Sequence, residues 1–293
     1  MKYGRIHLNI DYAKAGVDAS DKYTLAPDSE VPCPGKVAGN HPYLDCYLLD
    51  DPLNTFKRRS VIICPGGAYY FTSVREAEAV AMKFLSKGIQ TFILWYSVAP
   101  AIFPMALMEL ASSVKIVRDH AEEWNIDSDK IAVMGFSAGG HLAGSLSVMW
   151  NKGFLAESLG VKEEEIRPNG SILCYPVITS GEKAHRGSFD NLLRGLSDDY
   201  LEVTSLEKQV DEKTPPTFIW HTWTDEMVPV ENSLYYMLAL REHNVSCEAH
   251  IYKEGPHGIS LANRETARDP IEGSIVPEAQ DWIDHAITWL KNL

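Results

Sequence analysis

The sequence predicts an α/β fold, with a mostly parallel central sheet and helices packed on both of its faces. Three observations predict it. From about residue 60 onward, short apolar runs recur: SVIIC (Ser60–Cys64), TFILWYSV (Thr91–Val98), KIAVMGF (Lys130–Phe136), SILCYPV (Ser171–Val177), TFIWHT (Thr217–Thr222) and EAHIY (Glu248–Tyr252). Most are continuous rather than alternating, the pattern of strands buried on both faces. Between several of them lie segments with a 3.6-residue apolar period, and the links are short, so right-handed strand–helix–strand crossovers follow.

The clearest helical stripe is Leu107, Leu110, Val114, Val117, Ala121 and Trp124, bounded by Pro104 and Asn125. Further helices are expected at Val74–Lys87, closed by Gly88, at Val230–His243 after Pro229, and at Pro277–Leu290. The first 50 residues differ. Arg5–Ile10 and Tyr43–Leu49 read as strands with no helical crossover between them, only a Pro/Gly-rich stretch that includes VPCPGKVAGNHP. An antiparallel pair at the sheet edge is therefore expected over residues 1–50. A second irregular segment, residues 180–216, carries charges and two short apolar clusters, NLLRGL and DYLEV. It falls after a strand's carboxyl end and is expected to form a small cap over one domain spanning residues 1–293.

Composition narrows the function classes. The chain has 293 residues, with 27 Lys and Arg against 40 Asp and Glu, a formal charge of −13. That balance disfavours nucleic acid and anionic membrane as partners. The five cysteines (Cys33, Cys46, Cys64, Cys174, Cys247) are scattered and form no C-x-x-C pair, so neither a disulfide framework nor a thiolate zinc site is expected. MKYGRIHLNIDYAK lacks an apolar h-region, and no run reaches the length of a membrane span. A cytoplasmic protein, with a homo-oligomer left open, is the expectation.

The chemistry concentrates at KIAVMGFSAGGHL (Lys130–Leu142), where an apolar strand gives way to small residues around Gly135–Phe136–Ser137–Ala138–Gly139. In a G-x-S-x-G elbow the serine occupies a strained strand-to-helix turn that presents its hydroxyl at the sheet's carboxyl edge, where ligands bind. A serine needs a base, and the base needs an orienting acid. In this architecture the chain order is serine, acid, histidine. Asp225 follows the strand TFIWHT, and His257, between Pro256 and Gly258, follows EAHIY. Both fall on the same edge as Ser137.

Glu226 and Glu231 compete for the acid's place. Among the histidines, His221 and His250 lie inside strand runs, His141 opens the helix after the serine and His243 ends another. They read as packed, solvent-facing or locally structural. An oxyanion site needs two backbone N–H donors. One would come from Ala138, after the serine, and the other from CPGGAYY (Cys64–Tyr70). Tyr69, Tyr70, Trp95 and Trp223 stand near the edge and are candidate pocket walls.

With these residues in place the chain resembles the α/β-hydrolase superfamily. More narrowly it is similar to the small bacterial esterases related to acetyl-xylan and feruloyl esterases, some of them labelled sugar hydrolases or lipase-like. The resemblance spans about Val61 to Leu261 and rests on PGGAY, FPMALMELASSVKIVRDHAEEWNID, GFSAGGHLAG, PPTFIWHTWTDEMVPVENS and EGPHGISLA. It implies Ser137 as nucleophile, Asp225 as acid, His257 as base, and Gly67, Ala68 and Ala138 as amide donors. Pro65–Gly66–Gly67 stands where the hormone-sensitive-lipase group has His-Gly-Gly, which argues against that group. The implied reaction is hydrolysis of a short-chain, acetyl-type ester of a small molecule, on a carbohydrate in the preferred reading. It needs no metal or cofactor, and activity should rise through the pH range where histidine deprotonates. A serine peptidase, an arylformamidase and a non-enzymatic receptor of the same fold remain alternatives.

Overall fold

The computed structural model of the chain describes residues 1–16, 36–37, 42–50, 56–268 and 273–293. Most of the VPCPGKVAGNHP stretch, Cys33 included, lies outside them. The chain opens with strand β1 (Lys2–His7), a 3-10 turn at Tyr12–Ala15, the two-residue β2 (Lys36–Val37), β3 (Tyr43–Leu48), β4 (Arg58–Cys64) and a second two-residue strand, β5 (Thr72–Ser73). Helix α1 (Glu78–Leu85), β6 (Gln90–Trp95), α2 (Met105–Asp119), β7 (Ile126–Phe136) and α3 (Ala138–Met149) follow. Two short helices, α4 (Phe154–Leu159) and α5 (Glu163–Ile166), lead to β8 (Gly170–Cys174). After it come α6 (Arg186–Leu192) and α7 (Asp199–Val203), then β9 (Thr217–Thr222), α8 (Glu231–Glu242), β10 (Cys247–Tyr252) and α9 (Trp282–Asn292).

Eight strands form one sheet in the order β1-β3-β6-β4-β7-β8-β9-β10. The pairings from β6 through β10 are parallel, while β3 runs antiparallel to both β1 and β6. β2 and β5 make a separate antiparallel pair.

Alternation along each strand explains the continuous apolar runs. In β4, Ile62 and Cys64 enter one core while Val61 and Ile63 enter the other. In β7, Ile131 and Val133 face the first, and Ala132, Met134 and Phe136 the second. Helix α1 through Val80, Ala81 and Phe84, and α9 through Trp282, Ile283, Ala286 and Leu290, cover one face. Helices α2, α3 and α8 cover the other. Each such Val, Leu, Ile or Phe, fully withdrawn from water, contributes about 1.5–3 kcal/mol before entropy is counted.

Several elements stop short of the sequence pattern, β8 at Cys174 and β1 at His7 among them, and in two the cause is plain. β6 ends at Trp95 because the Ser97 amide turns out of the sheet to donate to the Glu109 carboxylate at 2.7 Å. Helix α2 ends at Asp119 rather than near Asn125; His120 bonds back to the Ile116 carbonyl and stacks on Trp124, so the apolar stripe continues through a turn.

Candidate active site

Ser137 sits between β7 and α3 with φ 53° and ψ −118°, a conformation that L-residues rarely adopt. Its backbone is fixed on both sides. Ser137 N donates to the Cys174 carbonyl, and the Ser137 carbonyl accepts from His141 N and Val177 N. The elbow can turn this sharply only because two flanking residues lack side chains. A Cβ on Gly135 would overlap the Gly139 carbonyl, and one on Gly139 would overlap the Cys64 carbonyl of the neighbouring strand.

The three residues singled out by chain order meet. His257 Nε2 lies 2.7 Å from Ser137 Oγ, and His257 Nδ1 lies 2.6 Å from Asp225 Oδ2. A carboxylate can only accept, so Nδ1 carries the proton and Nε2 is free to accept from the serine hydroxyl. Asp225 Oδ1 accepts from the Met227 and Val228 amides at 3.0 and 2.9 Å. Burial pushes the Asp225 carboxyl up, but hydrogen bonds from His221 and His257 outweigh it and hold the group well below the usual carboxylate range. Asp225 is thus an anion across the working pH range. Ser137 and His257 are nearly withdrawn from solvent, at 7% and 9% exposure.

The loop Pro65–Tyr70 lies beside the elbow. Gly67 has φ 137°, and a Cβ there would strike the Phe71 carbonyl, so the loop requires glycine at this point. Ala68 and Tyr69 follow in left-handed conformation, at φ 56° each. Among the described residues, the N–H groups of Gly67, Ala68 and Ala138 have no hydrogen-bond partner. The loop is braced from four sides: Gly66 N donates to Glu76 Oε2, Tyr96 Oη to the Pro65 carbonyl, Asn191 Nδ2 to the Ala68 carbonyl and Ala99 N to the Tyr69 carbonyl.

Glu76 and Tyr175 carry that brace to the histidine. Tyr175 Oη donates to Glu76 Oε1 at 2.7 Å and accepts from Ser260 N at 2.9 Å, while its ring meets His257 edge-on. Arg75 adds donors to the Gly258 and Thr266 carbonyls. One short segment therefore links the Gly66–Gly67 turn to the loop that carries His257.

Two pocket candidates are corrected. Tyr69 turns inward: it is buried, and its hydroxyl bonds to His141 Nδ1 at 2.9 Å. Trp95 belongs to the antiparallel edge, where its indole donates to Asp45 and lines a cleft with Met1, Tyr3 and Arg5. Tyr70 and Trp223 are exposed. A cleft of about 530 Å³ opens beside His257, walled by Thr224, Glu226, Met227, Glu254 and Arg268. Glu226 is thus a wall of the cleft, and Glu231 pairs with Lys183 at 3.1 Å; neither bonds His257. His141 is buried, and that burial lowers it to about 4, against a bond to the Thr204 carbonyl. It is a neutral strut between Tyr69 and the segment following α7.

Sequence reasoning missed three buried partners: His221, Glu76 and Tyr175. His221 Nε2 lies 3.2 Å from Asp225 Oδ2. Its spacing four residues before Asp225, at the end of a strand entering the site, is the one signal that could have found it.

This fold and the placement of its site residues are those of the α/β hydrolases. The chain belongs to the BD-FAE family, whose model matches residues 44–240. It is 38% identical over 234 residues to endo-1,4-beta-xylanase B of Butyrivibrio fibrisolvens, covering 76% of this chain and 35% of that protein. It is 33% identical over 223 residues to an acetylxylan esterase of Xylanibacter ruminicola, covering 74% and 43%. The chain thus spans between about a third and under half of these relatives' length. Among solved structures, the acetyl ester-xyloside bifunctional hydrolase of Caldicellulosiruptor lactoaceticus superposes with a TM-score of 0.75 at 33% identity, over 92% of this chain and 94% of that one.

Proposed function

We propose that this chain hydrolyses short-chain carboxylic esters, acetyl esters of carbohydrate hydroxyls in particular, through an acyl-enzyme on Ser137. The observation that carries this reading is the continuous hydrogen-bond chain from Asp225 through His257 to the Ser137 hydroxyl. His257 takes the Ser137 proton as Oγ attacks the ester carbonyl, and Asp225 stabilises the imidazolium that forms. Ala138 N–H, with Gly67 or Ala68 N–H, receives the oxyanion; such donors typically lower the barrier by about 3–4 kcal/mol each. His257 then protonates the departing alcohol, and the same histidine later activates the water that releases the acid.

The substrate class draws on two supports. The cleft that includes His257 has room for a sugar ring and polar walls in Thr224, Glu226, Glu254 and Arg268. The names of the relatives point to acetylated xylosides.

The test is hydrolysis of p-nitrophenyl acetate, butyrate and octanoate, and acetate release from acetylated xylo-oligosaccharides, by wild type and Ser137→Ala. Turnover should fall with acyl length, and the variant should lose about 10⁴-fold or more in kcat. Octanoate preferred over acetate would refute the acyl assignment. A variant within tenfold of wild type, where about 10⁴ is expected, would refute the nucleophile.

A further inference from the structure

We propose that His221 is a positioning residue of this site, one that fixes the Asp225 carboxylate through a hydrogen bond to the same oxygen that binds His257. The proposal rests on the reading of Ser137, His257 and Asp225 given above.

His221 lies at the penultimate position of β9 and is completely buried. Its Nε2 faces two groups that can only accept, Asp225 Oδ2 at 3.2 Å and the Val228 carbonyl at 2.9 Å. Nε2 therefore carries a proton and shares it between them. Its Nδ1 faces Ser233 Oγ of α8 at 2.8 Å, a hydroxyl able to donate to it. The two acceptors on Nε2 thus set the tautomer of His221 and aim its N–H at the acid, while Ser233 anchors the other end of the ring from the helix. Val228 closes the ring, since its N–H donates to Asp225 Oδ1 while its carbonyl receives His221.

The arrangement leaves Asp225 no freedom. Oδ1 is held by two amides and Oδ2 by two imidazoles, with His257 the nearer at 2.6 Å. A carboxylate so held cannot rotate about χ2, and His257 keeps its proton on Nδ1 and its Nε2 toward Ser137. The second donor also draws on the charge that Asp225 offers to His257. Removing it should loosen the geometry and strengthen the pull on the His257 proton at once. Among the described residues, the other titratable groups that face these residues include His185, in the segment after β8, Glu231, on α8, and Tyr175, whose ring lies edge-on to His257.

Two isosteric substitutions separate this role from simple packing. A glutamine amide nitrogen stands where Nε2 stands and can still donate to Asp225; an asparagine amide nitrogen stands where Nδ1 stands and cannot. His221→Gln, His221→Asn and Ser137→Ala are compared with wild type on p-nitrophenyl acetate over roughly pH 5 to 9. The glutamine variant should exceed the asparagine variant in kcat by about tenfold, with KM within about twofold. In the asparagine variant the acid limb of kcat/KM should move to higher pH. Equal kcat and coincident acid limbs in the two variants would overturn the proposal. Where thermal melting shows that His221→Asn does not fold, Ser233→Ala decides. A lowered kcat with the same upward shift supports the role, and an unchanged profile overturns it. Activity retained by Ser137→Ala would instead remove the reading of the site itself.

Discussion

At Ser137 the backbone is held in a left-handed turn by a pair of glycines whose missing side chains are filled by neighbouring carbonyls. The clash is with backbone rather than with a movable side-chain tip, so the elbow cannot yield cheaply. Gly139→Ala should therefore cost about 3 kcal/mol or more in folding free energy, read from urea unfolding midpoints. A loss below about 1 kcal/mol would show that the turn tolerates a Cβ. Ser137, Asp225 and His257 were legible in the sequence because each lies in the loop that follows a strand run, and parallel strands deliver their carboxyl ends to one edge. His221, Glu76 and Tyr175 were not, because their roles depend on which side of a strand or loop each faces. The first lies inside an apolar run, and the others meet only across 99 residues of chain. The inward turn of Tyr69 was equally hidden, since it depends on His141 lying within reach of its hydroxyl.

Among the elements, α2 carries the most unusual group. Glu109 is buried within an apolar helix face and accepts from Tyr12 Oη and Ser97 N at 2.7 Å each. It ties the chain's opening segment to the end of β6. Burial pushes its carboxyl up to about 7, against the hydrogen bonds from Ser97 and Tyr12. The folded state thus holds this proton more tightly than the unfolded chain does. The stability it contributes is present below the unfolded value near 4.5 and is lost as pH rises through about 7. Glu109→Gln, which mimics the protonated form, should gain on wild type by about 3 kcal/mol in unfolding free energy between pH 4.5 and 8. A difference independent of pH would contradict this. Subtracting the two proteins also cancels His141, whose lowered value acts in the opposite sense below pH 6.5.

Periodicity located most elements, and Thr217–Thr222 coincides with β9 at both ends. It overran β6 and α2 because an apolar pattern persists where a side-chain hydrogen bond, not hydropathy, ends the element. The short α4 and α5 span six and four residues, too few for a period to register.

At the scale of the molecule, the parallel strands β7, β9 and β10 bring three loops separated by up to 120 residues of sequence to one edge. The antiparallel β1 and β3 close the opposite side of the sheet, away in strand order from Ser137, Asp225 and His257. Alternation of the two cores through every central strand explains why the sheet can be buried on both faces while that edge stays open to substrate. Among the described residues no helix is long and apolar enough to cross a membrane. If this edge makes Ser137 a nucleophile, the serine can be captured covalently. Wild type and Ser137→Ala are incubated with a fluorophosphonate, and the intact masses and labelled peptide are read. One adduct per wild-type chain, on Ser137 and absent from the variant, is the expected result. A folded wild type that takes no label, or a variant that takes it as readily, would contradict the assignment.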